Sequence, residues 1–248
     1  MRKFSSSIHY APLLFVLMLA LPGFAQNNPP SPVTGPPQTG TATRKFSLPP
    51  AGKRIPVAFV LSEGATMIDF AGPWEVFQDV RLEPNPDSPS PFQLYTVAES
   101  RDPIHTSAGM IVVPTYTFED APVPRVVVVP ASHNGTPKME EWLRRMETQS
   151  DVVMSVCTGV YWLIDAGLLD GKKYTTNHNA YDRFQAAFPK ATLVKGQRWV
   201  QSDDVIYTAA GLTSGIDLAL HIVEQYYGHE IVMKTVTYME YESPRWTN

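Results

Sequence analysis

The sequence predicts an α/β fold, a three-layer sandwich with a mainly parallel central sheet and helices on both faces. Two patterns indicate this. Apolar segments of strand length, such as residues 55–61 and 125–130, show no alternation of polar and apolar positions, which is typical of strands buried on both faces of a parallel sheet. Between them lie segments whose large apolar residues recur at helical spacing, and this alternation of element types is typical of α/β domains.

The individual elements follow from the same patterns. Residues 69–80 carry Phe70, Trp74 and Phe77 at helical spacing, and Pro73 is expected in the first turn of that helix. The other predicted elements are, in chain order, strands at 92–98, around 110–113, at 125–130 and 152–156, helices at 140–146 and 159–167, a strand at 173–176, a helix at 180–188, a short strand at 205–207 and a helix at 213–228.

Composition excludes several classes of protein. The chain has 248 residues and a formal net charge of −4, without a Lys/Arg cluster, so a nucleic-acid partner is not expected. Its single cysteine, Cys157, can form no intrachain disulfide and no cysteine-based zinc site. No spacing typical of a metal site and no glycine-rich phosphate loop occurs, so neither a metal nor a cofactor is predicted.

The N-terminus predicts export. Arg2 and Lys3 precede an apolar run at residues 11–21, and small residues stand at Gly23 and Ala25, as in a signal peptide that is cleaved after Ala25. The alternative is an uncleaved anchor, but the run is shorter than the roughly 20 residues that span a bilayer. We therefore expect a periplasmic or secreted protein that is not stably inserted in a membrane after cleavage.

The mature chain is expected to begin with a linker. Residues 26–53 are rich in Pro, Gly, Ser and Thr and lack apolar periodicity, which predicts a disordered segment. The folded unit is then a single domain over residues 54–244.

Cys157 lies between a predicted strand at 152–156 and a predicted helix. Ser155 and Gly159 stand two residues before and after it, the spacing of small residues found in a nucleophile elbow. At a helix N-terminus the thiol pKa is expected to be lowered, and backbone N–H groups there can form an oxyanion hole. The alternative is a buried structural cysteine.

Several ordered motifs resemble one family. Residues 155–159 (SVCTG), 166–171 (AGLLDG) and the pair Thr175 and Thr176 are similar to the nucleophile segment of the ThiJ/PfpI superfamily, which has the class I glutamine amidotransferase-like fold. Residues 68–77, with the pattern D-x-x-G-P, resemble the branch that contains isonitrile hydratases and the ligand domains of AraC-type regulators. Residues 210–220 and 239–241 fit the same branch. The resemblance implies a flavodoxin-like sheet and, by analogy, a homodimer.

The resemblance also implies a reaction. Cys157 would be the nucleophile, Asp69 the acid and base, and Thr158 a third catalytic residue, in a cysteine-dependent hydratase that adds water to an isonitrile, its small-molecule substrate, and yields an N-substituted formamide. A carboxyl held near a thiolate is expected to have a raised pKa, which favours its protonated, proton-donating form. Asp69 could instead be the N-cap of its helix, and Thr158 could simply begin the next one.

The chain departs from the family pattern at the predicted binding site. Ala131 and Ser132 replace a glycine pair whose backbone N–H completes the oxyanion site, and His178 follows Asn177 where many relatives have histidine directly after the Thr-Thr pair. We expect Ala131, Ser132, Gly72, His133 and His178 at the substrate or oxyanion site. Either histidine could also be an ordinary solvated loop residue.

Two other functions remain open. A non-catalytic protein of the same fold could bind a ligand or sense oxidants through Cys157. Alternatively, the chain could be an amidase, a peptidase or a glyoxalase-like enzyme, as in other branches of the superfamily. The residues after Tyr241 carry no helix-turn-helix pattern, so a transcription factor is not expected.

Overall fold

The computed structural model describes residues 46–83, 85, 87–243 and 245–247. The predicted signal peptide and most of the predicted linker lie outside these residues. The strands are β1 (Ile55–Val60), β2 (Phe92–Ala98), β3 (Ile104–His105), β4 (Ile111–Val112), β5 (Tyr116–Thr117), β6 (Val126–Val129), β7 (Val152–Val156), β8 (Lys173–Tyr174), β9 (Thr192–Leu193), β10 (Trp199–Gln201) and β11 (Ile206–Ala209). The α-helices are α1 (Met67–Asp79), α2 (Pro137–Glu147), α3 (Val160–Asp165), α4 (Tyr181–Ala187), α5 (Ser214–Tyr227) and α6 (His229–Tyr238).

The central sheet has the strand order β10-β11-β7-β6-β1-β2-β5. Its strand pairs are parallel, except that the edge strand β10 pairs with β11 in the antiparallel direction. The predicted strands near 110–113 and 173–176 lie outside this sheet, in the two-stranded pairs β3-β4 and β8-β9. The α/β fold with a mainly parallel central sheet is confirmed, and it places the carboxyl ends of β1, β6, β7 and β11 along one edge.

Both faces of the sheet are covered by helices. On β1, Val57 and Phe59 pack with residues of α1, α5 and α6, whereas Ala58 and Val60 pack with residues of α2, α3 and α4. All four side chains are buried. Successive residues of a strand point to opposite faces, so burial on both sides explains why these segments show no polar alternation.

Helix α1 begins earlier than its pattern predicts. Thr66 is its N-cap residue, so Asp69 lies inside the first turn and the N-cap interpretation of Asp69 is wrong. For the same reason Pro73 is in the helix interior rather than the first turn. A proline has no N–H, so it cannot complete the helical hydrogen bond to the carbonyl of Asp69 four residues earlier.

The packed unit includes residues on both sides of the predicted domain. Phe46, in the predicted linker, is buried with its ring 4.8 Å from that of Tyr226. Near the other end, Trp246 is buried and lies 5.7 Å from the ring of His229. Helix α6 had no sequence prediction. Among the described residues, no helix combines the length and apolar character required to cross a bilayer.

Candidate active site

The candidate site lies at the carboxyl edge of the central sheet, where α/β proteins gather their ligands. The segments that follow four neighbouring strands form the site. Asp69 comes from the first turn of α1, after β1, and Ala131 from the loop after β6. Cys157 follows β7 directly, and the loop 210–213 follows β11.

Cys157 occupies a nucleophile elbow. Its φ is +59°, a left-handed backbone conformation that few non-glycine residues adopt. A Cβ atom on Gly159 would lie 2.3 Å from the carbonyl oxygen of Val129, so only glycine allows the turn to approach β6 this closely. The Cys157 N–H donates to the Ala210 carbonyl at 2.8 Å, and its own carbonyl accepts from the Thr176 hydroxyl at 2.9 Å. The predicted elbow is confirmed, and these contacts hold its strained residue in place.

The Cys157 side chain is buried. The residue is 8% exposed, and burial is the main reason that its pKa is raised. The negative charge of Asp69 raises the thiol pKa further, while hydrogen bonds from the N–H groups of Thr158 and Leu212 and from the Asn177 side chain oppose the rise. The expectation of a lowered thiol pKa is therefore wrong, because desolvation outweighs the donors at the turn.

Asp69 is the carboxyl that faces this thiol. It is 0% exposed, and Oδ2 accepts the Ala131 N–H at 3.2 Å. Oδ1 is buried without a hydrogen-bond partner among the described residues. Burial raises the pKa of Asp69 to about 7, although the hydrogen bonds with Ala131 and with the Cys157 side chain act in the opposite direction. The direction of the expected rise is confirmed, but its cause is desolvation, and the neighbouring Cys157 side chain lowers this pKa rather than raising it.

Ala131 and Ser132 have separate contacts. The Ala131 N–H is engaged by Asp69, so this geometry presents it to the carboxyl rather than to a substrate oxyanion. The Ser132 hydroxyl oxygen accepts hydrogen bonds from the Ser62 hydroxyl at 2.7 Å and from Nε1 of Trp162 at 2.9 Å. Ser132 thus fixes an indole ring beside the elbow. Ser62, which directly follows the first predicted strand, was missed by the sequence interpretation.

A cleft of about 510 Å³ opens beside the elbow. Thr158, half-buried, lines it together with Ser132 and His133. The exposed His133 ring covers Gly64, where an added Cβ would lie 2.2 Å from Nδ1. Three of the predicted site residues therefore line one cavity, which lies beside the elbow that carries Cys157.

Gly72 and His178 lie elsewhere. A Cβ atom on Gly72 would come within 2.9 Å of Ile216 on α5, so this glycine allows α1 and α5 to pack closely. His178 is exposed in the short 3₁₀ turn His178–Ala180. Its neighbour Asn177, not His178, reaches the thiol of Cys157. The replacement of a family histidine at 177 was the sequence signal that could have identified Asn177.

The loop that carries Leu212 is held by an ion pair between the buried Asp217 and the half-buried Arg198. Asp217 accepts from Nε of Arg198 at 2.6 Å and from the Tyr241 hydroxyl at 3.0 Å. Arg198 also donates to Thr213 at 3.1 Å, and its carbonyl accepts the Ala210 N–H at 2.8 Å. These bonds fix both ends of the loop. Within the loop, Leu212 adopts a φ of +53°, and its N–H points to the thiol of Cys157.

The chemistry available here is proton transfer and nucleophilic attack in a water-poor site. Within the described part of the chain, no group of three or more His, Cys, Asp or Glu side chains could hold a metal ion. A carboxyl with a pKa near neutrality and a thiol are buried next to each other, an arrangement suited to general acid and base work on a small electrophile.

The chain is similar to several known proteins. The chain is 31% identical over 192 residues to the isonitrile hydratase of Pseudomonas putida, covering 75% of this chain and 78% of that protein. It is 32% identical over 99 residues to the HTH-type transcriptional regulator CdhR of Pseudomonas aeruginosa, covering 40% of this chain and 29% of the regulator. A crystal structure of a ThiJ/PfpI family protein from Pseudomonas syringae superposes with a TM-score of 0.66 at 24% identity, covering 86% and 82% of the two chains.

The family assignment rests on a match to a whole family and on one similar enzyme. Residues 55–225, which hold the elbow, the Asp69 segment and most of α5, match the DJ-1/PfpI family. Together with the isonitrile hydratase of Pseudomonas putida, this match shows that the chain belongs to the DJ-1/PfpI family.

Proposed function

We propose that the protein is an isonitrile hydratase, which adds water to an isonitrile and releases an N-substituted formamide. The observation that carries the proposal is the pairing of Cys157 with a fully buried Asp69 whose pKa is about 7. Near neutral pH this carboxyl can both give and take a proton, as an acid and base in one cycle must. The similarity to the hydratase of Pseudomonas putida supports the choice of substrate.

The reaction begins from a neutral thiol and a neutral carboxyl. The Cys157 sulfur bonds the terminal carbon of the isonitrile, Asp69 gives its proton to that carbon, and the thiol proton passes to the Asp69 carboxylate. The product is a thioimidate. Water then adds to the thioimidate carbon, one water proton goes to the nitrogen, and the C–S bond breaks as the other proton returns to sulfur. The formamide leaves and both side chains are restored.

The same site supports the alternatives less well. Formation of a sulfenic acid needs a thiolate, and burial raises the pKa of Cys157, which disfavours an oxidant sensor. Amidases and peptidases with a Cys-His pair need a histidine beside the thiol, and Asn177 occupies that position here. A ligand-binding role like that suggested by the regulator relatives needs the pocket but not the Asp69–Cys157 pair.

The decisive experiment measures formamide production from cyclohexyl isocyanide and several other isonitriles. Wild type is expected to incorporate one oxygen atom from H₂¹⁸O into the formamide, and Cys157→Ala is expected to form none above background. Tyr238→Ala, which alters an exposed residue of α6, is the matched control and should retain full activity. Absence of cysteine-dependent turnover with every isonitrile tested would overturn the proposal.

Export and assembly belong to the same proposal. The charged start, the apolar run and the small residues at Gly23 and Ala25 support a cleaved leader. The protein recovered from the periplasm of a bacterial host should begin at Gln26 by intact mass, and retention of residues 1–25 would contradict cleavage. We expect a homodimer by analogy with the family, and sedimentation velocity of the purified protein measures it.

A further inference from the structure

The cleft beside the elbow is the second element of this site. It has a volume of about 510 Å³, within the range of roughly 300–1,000 Å³ that is usual for small-molecule sites. The isonitrile group itself is only two atoms, so the reaction does not need this space. Thr158, the residue after Cys157, and Ser132, the residue after Ala131, both line the cleft. The cavity therefore begins beside the elbow, and a substituent on the substrate nitrogen would have to extend past Thr158 and Ser132 to enter it.

One wall of the cleft is aromatic. The Tyr161 ring lies edge-on to Trp162 at 4.8 Å, to Phe188 at 5.7 Å and to Phe184 at 6.5 Å. Trp162 and Phe184 are buried, whereas Tyr161 is 38% exposed and presents its ring to the cavity. Edge-to-face contacts with rings 4.5–7 Å apart are favourable, so the wall offers a further aromatic group the same arrangement.

This wall is held before any ligand arrives. The hydrogen bond from Trp162 to Ser132 fixes the indole, and a Cβ atom on Gly135 would lie 2.4 Å from that ring, so the loop after β6 is packed tightly against it. The guanidinium carbon of Arg183 lies 5.4 Å from the centre of the Phe184 ring and places charge at the rim. A preformed apolar wall with a polar rim selects by shape and by apolar contact.

We propose that the cleft binds an aromatic substituent on the substrate nitrogen, so that aryl and arylmethyl isonitriles are the preferred class. The inference rests on the proposed hydration for its chemistry and on the cleft alone for its selectivity. Tyr161 is the specificity-determining residue, because its exposed ring joins the three other rings of the wall.

The test compares benzyl isocyanide with methyl isocyanide. The wild-type ratio of the two kcat/KM values is expected to favour benzyl isocyanide by about tenfold or more, and Tyr161→Ala should reduce the ratio by about tenfold. Tyr161→Phe keeps the ring and should keep the ratio. Ala187→Trp fills the cleft from an exposed position of α4 without removing a core residue, and it should lower the ratio even if Tyr161→Ala fails to fold.

A binding measurement separates this inference from the proposed function. Saturation-transfer NMR with N-benzylformamide needs no turnover and can use Cys157→Ala protein. If no isonitrile is hydrated but Ala187→Trp abolishes binding of N-benzylformamide, the hydratase proposal fails and the aryl cleft stands. If the kcat/KM ratio and the binding are the same in wild type, Tyr161→Ala and Ala187→Trp, the aryl cleft is overturned.

Discussion

Two aspartates in the first turns of neighbouring helices, Asp69 of α1 and Asp217 of α5, are both 0% exposed, yet their surroundings differ. Asp217 is paired with Arg198 and accepts a further bond from Tyr241. Asp69 has the backbone N–H of Ala131 and the side chain of Cys157, and in the described part of the chain no cation pairs with it. Burial raises both pKa values, but only at Asp217 does an arginine oppose the rise.

The difference shows how one fold uses the same side chain for structure and for chemistry. A buried carboxyl with a cation and a hydroxyl donor is held as part of a scaffold, here the one that grips the loop 210–213. A buried carboxyl without a cation keeps a proton up to near neutral pH and can transfer it. Replacing Asp69 should therefore mainly lower activity, whereas replacing Asp217 should mainly lower stability.

The largest effect is expected from Asp69→Asn on turnover. An amide cannot exchange the proton, so the hydration rate should fall about 10³-fold, which corresponds to about 4 kcal/mol in the activation barrier. The variant also removes the negative charge that raises the thiol pKa, so iodoacetamide should alkylate Cys157 faster than in wild type. Glu75→Gln, an exposed change on the same helix, is the control for both assays. Hydration by Asp69→Asn at the wild-type rate would contradict the assigned role.

The next effect is on stability as a function of pH. The pKa of Asp69 rises from 3.8 to about 7 on folding, so the native state holds a proton that the unfolded chain loses. This contribution is complete below about pH 4 and is lost as the pH rises to 7. Relative to pH 4, the stability gap between Asp69→Asn and wild type should widen in favour of the variant by as much as about 4 kcal/mol at pH 8. Urea unfolding of both proteins at the two pH values measures it, and a constant gap would contradict the raised pKa.

Asp217→Asn should lower stability near neutral pH, whereas Asp69→Asn should raise it. It leaves the guanidinium of Arg198, whose side chain is 24% exposed, without its partner, and the free energy of unfolding is expected to fall by about 3 kcal/mol near neutral pH. The exposed pair of Arg101 and Asp120 supplies a matched control, because Asp120→Asn breaks an ion pair of the same type in solvent and should cost far less. Equal losses at the two positions would refute the scaffold role.

The smallest effect should come from Tyr241→Phe. The change removes one hydrogen bond to Asp217 and leaves the arginine in place, so a loss of about 1 kcal/mol is expected in chemical unfolding. Tyr238→Phe, an exposed position that is 68% accessible, should leave the unfolding curve unchanged. A loss at Tyr241 as large as that of Asp217→Asn would mean that the hydroxyl, not the arginine, holds the aspartate.

Local sequence patterns predicted the sheet and the elbow because both depend on neighbours in the chain. The unbroken apolar runs at β1 and β6 indicate burial on both faces of the sheet. Ser155 and Gly159 indicate a tight turn. Two-residue strands such as β5 and β9 carry too few residues to show a period. The start of α1 at Met67 was missed because Thr66, its N-cap residue, makes no side-chain capping bond.

The surroundings of the thiol depend on contacts between distant segments. Leu212, Asn177 and Asp69 reach Cys157 from three segments that are far apart in the chain, and no sequence spacing reveals that they meet at the thiol. The sequence therefore predicted the wrong direction for the pKa shift of the Cys157 thiol. A pattern shows the donors of a turn, but only the folded structure shows how much water has been removed from the sulfur.

The burial of the only cysteine has a consequence for measuring motion. Since Cys157 is 8% exposed and no other thiol competes, the rate at which a thiol reagent too large for the native site labels the chain depends on how often the elbow region opens to solvent. Reagents of increasing size would then report openings of increasing width. Labelling of the candidate nucleophile, followed as a single mass shift, therefore measures local unfolding without an engineered cysteine.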